Sequence, residues 1–375
     1  LLIMSAFCGA MTEVKNVTFS NDILATLKAL SSLGAKFKIN KNSVQFNGLF
    51  YESSAKIDCG ESGSTLRFFI PICSMLGVST QFVGSKRLGE RGYADIIEAF
   101  GEQIKFDKKS GFPLNIKGEF TGKDIYINGN ISSQFVSGIM MGAIIAKRSV
   151  NIHLTSELVS RGYVDMTIEV IKQFGSDVKQ TEDGFEVICK NKVSIGCEFV
   201  PEVDYSNLAF WEVAGVHLPL ANDNSKQRDK IVLDIVRRAK NGVAMEIDID
   251  DIPDLAPIFG VLLARLKGKS VLKNCARLKI KECDRLAATA EILNKFGIKA
   301  VICGDDLEIY GGTIKGGVEV DSYGDHRMAM MAAIMASFAK EKVVIKNAQV
   351  CAKSYPDFWE KYLALGGDIN VINIR

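Results

Sequence analysis

Apolar and polar positions along the chain fall into one pattern that keeps returning. A stretch with apolar residues at helical spacing ends at a glycine, and two short alternating runs follow. The first copy reads "LKALSSLGAKFKINKNSVQFNG". Up to Gly34 the apolar residues recur every third or fourth position; beyond it they alternate as in a hairpin turning at Lys41-Asn42. "IIEAFGEQIKF" with "FPLNIKG", "IEVIKQFGSDVKQTEDGFEVICK" and "AEILNKFGIKAVICGDDLEIYGG" repeat the signal. "DIVRRAKNGVAMEIDI" is a weaker copy that has lost its hairpin, and "KYLALGGDINVI" is the same signal cut short. A glycine just past a helix supplies the left-handed residue that closes it. Glycines at 34, 101, 175, 242, 297 and 366 mark such ends about every 55–75 residues, a longer period than ordinary solenoids have. The pattern predicts six small folding units, three on each side of a crossing near Pro201. Two similar halves would leave a cleft between them, a common home for active sites.

Composition narrows the class. A chain of 375 residues, 47% hydrophobic and 24% charged, is globular and has room for two or three domains. Its 46 basic and 44 acidic side chains nearly cancel, which argues against a nucleic-acid partner. Nine cysteines lack CxxC or Cys/His spacing and read as reduced thiols of a cytoplasmic protein, not as a disulfide framework or zinc site. The opening "LLIMSAFCGA" is shorter than the roughly 20 residues a membrane span requires and lacks the basic leader of a signal peptide. It reads as a buried helix entered midway; with no Met at position 1, an upstream segment is expected to be missing.

The stretch "DCGESGSTLRFF", residues 58–69, is where chemistry enters. Gly60, Ser62, Gly63, Ser64 and Thr65 crowd together ahead of Arg67 and an apolar run. Small residues let the backbone turn and present N–H groups, a following helix adds its positive end, and a cation completes a cradle for an anion. A capped turn before a core helix is the plainer alternative. Other segments carry the same mixture and suggest further helix starts: Arg91 in "KRLGERGYAD", Ser132, Ser133 and Gln134 in "GNISSQFVSG", and Ser160, Arg161 and Tyr163 in "ELVSRGYVDMT". In the second half, Asp254 stands at the mouth of an apolar helix, and Lys281, Glu282, Asp284 and Arg285 precede a long amphipathic one. Asp325, His326 and Arg327 lead a Met- and Ala-rich helix, and Lys353 sits before a turn. Acidic residues suit first turns, but the helix dipole disfavours arginine there. Arg285 and Arg327 therefore call for an anionic ligand or a fixed carboxylate partner. His326 alone reads as a structural histidine, with no spacing that supports a metal. Together these groups suit small polyanions bearing phosphates and carboxylates, which arginine grips with a two-pronged fork and lysine with a compact charge.

In order along the chain, "GESGSTLR", "GERGYAD", "ISSQFVSG", "LVSRGYVD", "DIPDLAP", "KECDRL", "YGDHRMAM" and "AKSYPDFW" resemble the 5-enolpyruvylshikimate-3-phosphate synthase family over nearly the whole length. The resemblance implies a two-domain α/β enolpyruvyl transferase fold of six βαβαββ-type units, three per domain. The domains would be 1–201 and 202–375, with the active site in the interdomain cleft and the family's N-terminal strand of the second domain absent. The implied reaction transfers the enolpyruvyl group of phosphoenolpyruvate to the 5-hydroxyl of shikimate 3-phosphate and releases phosphate, on the route to chorismate and the aromatic amino acids. No metal or organic cofactor is implied, and the expected protein is a cytoplasmic monomer with neither nucleic acid nor membrane as partner. By resemblance, Ser132, Ser133 and Ser160 hold the 3-phosphate with Lys281 nearby, Gln134 touches both substrates, and Tyr163 walls the shikimate ring. Gly63, Arg91, Arg285, Arg327 and Lys353 bind phosphoenolpyruvate. Asp254 contacts the shikimate hydroxyls and acts as base, and Glu282 handles the proton at the methylene carbon. Ser64, Arg67 and His326 complete the candidate set.

Three departures stand out. The family carries a Lys-Ser pair and an Arg just upstream of where this chain begins. "GESGSTLRFF" differs from the commoner Gly-Asn-Ala-Gly-Thr version, with Phe68 where many members have Pro, so glyphosate sensitivity does not follow from the resemblance. Arg277 stands where some members use Asn, and that role is not carried over. Two rivals are weighed. A UDP-N-acetylglucosamine enolpyruvyl transferase shares the fold but uses a loop cysteine, and "GSKRLGERGYAD" has no such thiol. A non-catalytic binding remnant is the other, and the retained Asp254, Glu282 and Lys353 count against it.

Overall fold

The computed structural model describes residues 1–49, 52–130, 132–190, 197–218 and 225–371, divided between two compact units, Leu1–Pro201 and Glu202–Arg375. The first unit opens with α1 (Leu2–Phe7), β1 (Thr12–Val14), α2 (Asn21–Ser32) and a hairpin of β2 (Ala35–Ile39) and β3 (Val44–Leu49). A second run follows: β4 (Ser54–Asp58), α3 (Gly63–Leu76), β5 (Ser79–Val83), α4 (Lys86–Glu90), α5 (Ala94–Phe100), then β6 (Lys105–Phe106) and β7 (Leu114–Lys117). The third comprises β8 (Asp124–Ile127), α6 (Ser133–Ile145), β9 (Val150–Leu154), α7 (Arg161–Gln173), β10 (Asp177–Gln180) and β11 (Gly184–Ile188), and β12 (Cys197–Phe199) closes the unit.

Each complete run builds the same four-stranded sheet. A parallel pair is joined through a helix, and a hairpin adds the two remaining strands antiparallel, as in β4-β5-β7-β6 and β8-β9-β11-β10. Parallel neighbours need such a crossover, whereas a hairpin needs only a tight turn. The opening run is completed differently: β12, from the far end of the unit, pairs parallel with β1 to give β12-β1-β3-β2.

The second unit contains α8 (Tyr205–Ala214), α9 (Val232–Ala239), β13 (Glu246–Asp248), α10 (Ala256–Ala264), β14 (Lys269–Lys273), α11 (Arg285–Lys295), β15 (Lys299–Cys303) and β16 (Asp306–Tyr310). Its four-stranded sheet, β13-β14-β16-β15, repeats the order seen before. After it come β17 (Glu319–Asp321), α12 (His326–Ala336), β18 (Val344–Lys346) and α13 (Phe358–Ala364), with β17 and β18 paired parallel. All six repeat glycines have positive φ, from +56° at Gly101 to +98° at Gly366. A hairpin follows Gly34, Gly101, Gly175 and Gly297. Among the described residues none follows Gly242, where β13 instead opens the next sheet, and none follows Gly366 as far as Val371.

Each unit has its own apolar core. In the second, every residue of α10 and His326 through Met335 of α12 are buried, the mark of central helices rather than amphipathic surface ones. In the first, α3 and α6 press together along a glycine seam. A Cβ on Gly138 would lie 2.7 Å from the Arg67 carbonyl oxygen and 2.9 Å from Pro71 Cγ, and one on Gly142 would lie 3.1 Å from Met75 Sδ. Pro71 has no N–H to give the Arg67 carbonyl four residues back, and that is the point of closest approach. The seam sets the start of α6 beside the first turns of α3. No helix among the described residues is long and apolar enough to cross a membrane.

Candidate active site

In the first unit, two helix starts converge. Ser62 caps α3 by accepting from Thr65 N–H at 3.2 Å, and Ser132 caps α6 by accepting from Gln134 N–H at 3.3 Å. Ser64 keeps its Oγ 3.2 Å from that of Ser62, and Ser133 is buried. Arg67, on the second turn of α3, folds back toward the helix start, as long helical side chains do. Its Nη1 donates to Gln134 Oε1 at 3.0 Å, and its guanidinium carbon stands 5.8 Å from the centre of the Phe135 ring. A Cβ on Gly63 would fall 2.7 Å from Arg67 Nη1 and 3.3 Å from Arg91 Nη1. The bare Cα lets both guanidinium groups stand at the mouth of α3, and a methyl group there would push their ends aside. Two cations beside the positive end of a helix repel each other and the dipole, a cost that a nearby anion lowers. One expectation needs correcting: Arg91 follows α4 as its C-cap and comes in from the end of a helix, not the start of one.

Ser160 precedes α7 at φ +51°, a left-handed conformation uncommon for serine, and its hydroxyl makes no helix-cap bond. Strain of this kind gathers at functional positions. Tyr163, three residues on, is exposed. Arg161 has a different task. It donates to Asp165 Oδ1 at 3.2 Å and to Gln180 Oε1 at 2.7 Å, and lies 5.4 Å from the Phe185 ring centre, docking α7 onto the β10–β11 hairpin.

In the second unit, a charge network gathers around Arg285, which is 1% exposed at the first position of α11. Its Nε donates to Asp325 Oδ2 at 2.7 Å and its Nη1 to Asp254 Oδ1 at 2.8 Å. Its Nη2 serves both Glu282 Oε2 at 2.8 Å and Asp325 Oδ1 at 3.2 Å. An arginine at a helix start is thereby explained: three carboxylates outweigh the unfavourable dipole. Asp325 is fully buried and also caps α12, accepting from Arg327 N–H at 2.9 Å. Arg327 Nη2 reaches Asp254 Oδ2 at 3.2 Å and Ser206 Oγ at 3.0 Å, and its Nη1 reaches the Asp254 carbonyl at 3.3 Å. Lys281 Nζ lies 3.4 Å from Asp254 Oδ1, and Lys353 Nζ donates to Glu282 Oε1 at 2.9 Å. Among the described residues, four cations and three carboxylates thus meet here. Arg277 turns to the backbone, donating to the Asp250 carbonyl at 3.0 Å.

The electrostatics follow from this crowding. Burial opposes ionisation of Asp254, but Arg327, Lys281 and Arg285 outweigh it and hold the carboxyl well below its usual range. Burial likewise works against Asp325, where Arg285 is the leading cation that keeps it low. Burial pushes Lys281 down although Asp254 resists. Burial also drives His326 down to about 3; Asp325 resists, while Arg327 and Arg285 reinforce the fall. The imidazole is therefore neutral near pH 7, and among the described residues its Nδ1 has no hydrogen-bond partner.

Two residues of the network, Asp325 and Ser206, lie outside the site roles that the family resemblance implies. Asp325 carried a visible signal, an N-cap position ahead of an apolar helix. Ser206 carried none, since it is 121 residues from Arg327 in sequence.

A family model described as EPSP synthase (3-phosphoshikimate 1-carboxyvinyltransferase) matches residues 1–222 and 221–362. The 3-phosphoshikimate 1-carboxyvinyltransferase of Clostridium beijerinckii is 34% identical over 406 residues, covering 100% of this chain and 93% of the relative. The Clostridium perfringens protein of the same name is 36% identical over 394 residues, covering 98% and 92%. Among solved structures, EPSP synthase from Acinetobacter baumannii superimposes with a TM-score of 0.80 at 22% identity, over 99% of this chain and 94% of that one. The enolpyruvyl transferase NikO from Streptomyces tendae gives 0.70 at 13% identity, over 98% and 92%. At these identities the two structures establish the fold, which a second enolpyruvyl transferase shares.

Proposed function

From the premise that this chain belongs to the EPSP synthase family, we infer that it is a 3-phosphoshikimate 1-carboxyvinyltransferase. It moves the enolpyruvyl group of phosphoenolpyruvate to the 5-hydroxyl of shikimate 3-phosphate and releases phosphate. The observation that carries the site assignment is Arg285, which holds Glu282 and Asp254 on one guanidinium with Lys281, Arg327 and Lys353 around them. Two carboxylates among anchored cations suit an addition–elimination between two anions.

In this reading Ser132, Ser133, Ser160 and Lys281 take the 3-phosphate, Tyr163 walls the ring, and Gln134 touches both substrates. Gly63, Arg91, Arg285, Arg327 and Lys353 take phosphoenolpyruvate. Glu282 delivers a proton to the methylene carbon, leaving a cationic centre at its neighbour, and the 5-hydroxyl attacks there as Asp254 takes its proton. Glu282, left ionised by the first step, then takes a proton back from the new methyl group; the C–H electron pair forms the new double bond as the C–O bond to phosphate breaks. Well-placed acid and base groups each contribute roughly 10²–10⁴-fold, and fixed cations hold two mutually repelling anions together and favour the departing phosphate. As the structure stands, Glu282 accepts from Lys353 and Arg285, and Asp254 is surrounded by cations. The substrate anions must draw some of those cations away before either carboxyl group can exchange a proton.

The near balance of 46 basic and 44 acidic side chains supports a protein without a nucleic-acid partner, and nine free thiols support a reducing cytoplasm. We take it to act as a monomer. The family match and the absence of cysteine from "GSKRLGERGYAD" favour shikimate 3-phosphate over UDP-N-acetylglucosamine as acceptor. Phosphate release measured with each acceptor plus phosphoenolpyruvate tests the reading. Turnover with shikimate 3-phosphate alone is expected, and binding of it without turnover would support a non-catalytic remnant instead.

A further inference from the structure

We propose that Arg67 is a positioning residue that fixes which face of the Gln134 amide meets the substrates; the proposal rests on the reading of Gln134 as a substrate contact. A guanidinium carries only donors, and a glutamine side chain carries one acceptor oxygen and one donor nitrogen. With Arg67 Nη1 3.0 Å from the end of Gln134, only the amide oxygen satisfies both groups, so the flip of the amide is chosen by chemistry. The Nε2 hydrogens then remain to donate, as an anion requires. A glutamine without this partner would sample both orientations and offer an oxygen to a phosphate or carboxylate part of the time.

Arg67 is itself held in place. It is 8% exposed, beside the Phe135 ring and over the bare Cα of Gly63. The Gly138 seam sets its backbone against α6 one turn beyond Gln134. The partner that orients the amide and the helix that carries the amide are therefore locked to each other. Arg67 acts on the substrates through Gln134, not as a ligand.

Steady-state kinetics of four variants test this. Gln134→Ala is expected to raise KM for both substrates roughly tenfold or more with a smaller fall in kcat, since an oriented donor binds ground and transition states alike. Arg67→Met should do the same, and Arg67→Lys, which can still donate to Oε1, should recover most of the loss. The double variant Arg67→Met/Gln134→Ala should be no worse than Gln134→Ala, because two residues acting as one unit are not additive. Multiplied effects in the double variant would overturn the proposal, showing Arg67 to act directly, and would leave the Gln134 reading intact. Unchanged KM values in Gln134→Ala would overturn both. A lowered urea midpoint in Arg67→Met with normal KM values would reduce Arg67 to a structural role. Should Arg67→Met fail to fold, Gln134→Glu decides: it keeps an acceptor for Arg67 but loses the donors, so unchanged KM values would refute the proposal.

Discussion

Lys353 Nζ donates to Glu282 Oε1 at 2.9 Å, and because Arg285 donates to the other oxygen at 2.8 Å, both oxygens of this carboxylate accept from cations. In the proposed reaction Glu282 gives a proton to substrate, which calls for Lys353 or Arg285 to turn from its carboxyl group to a substrate anion. Glu282→Gln is expected to lower turnover by roughly 10²–10⁴-fold while shikimate 3-phosphate affinity is largely kept. Kinetics alongside a direct binding titration will tell, and an unchanged rate rejects the assigned role.

Arg91 and Arg67 share the open face of Gly63. Arg91→Ala should weaken phosphoenolpyruvate above all, raising its KM by roughly tenfold or more for the loss of one charged contact. If only the KM for shikimate 3-phosphate moves, the assignment of Arg91 is wrong.

Asp325 is fully buried and bonded twice to Arg285. Asp325→Asn removes the charge that balances a buried guanidinium, and stripping one partner from a buried pair costs about 3–5 kcal/mol. Urea unfolding at pH 7 should show a loss of that order. A cost below 1 kcal/mol would mean that Asp254 and Glu282 suffice to hold Arg285.

A Cβ on Gly138 would fall 2.7 Å from the Arg67 carbonyl oxygen across the α3–α6 seam. Gly138→Ala forces a backbone oxygen aside, and overpacking of this kind costs about 1–3 kcal/mol. Activity should fall along with stability, because the same shift separates Gln134 from Arg67. Full activity in a variant of lowered melting temperature would uncouple the seam from the site.

The buried His326, driven down to about 3, makes stability depend on acid. Between pH 6.5 and 3 the unfolded chain binds a proton at this residue that the folded chain refuses, so stability rises with pH across that window and is lost as pH falls through it. The contribution approaches about 1.4 kcal/mol per pH unit in the middle of the window. Carboxyl groups held low, such as Asp254 and Asp325, add their own loss once the pH falls below their ordinary range. His326→Gln should flatten the dependence between pH 6.5 and 4.5, measured by urea unfolding at each pH. An unaltered slope would show that the imidazole does protonate in the folded state.

What could be read from residues alone was whatever a turn or two of chain decides. The switch from helical to alternating spacing at Gly34, Gly101, Gly175 and Gly297 announced hairpins that formed, because a left-handed glycine and a period-2 run act on their own neighbours. The run at Gly242 lacked alternating partners, and no hairpin follows it among the described residues. The helix starts that gather charge were legible for the same reason, down to the oddity of arginines at Arg285 and Arg327. Their partners were not. Asp254 and Asp325 lie 31 and 40 residues from Arg285, Ser206 is farther still from Arg327, and β12 crosses the whole first unit to pair with β1. Those choices are made when burial removes water from the charged groups, so that an unpaired one becomes costly and each must find whatever partner the packed chain supplies. Only the tertiary structure settles which partner that is.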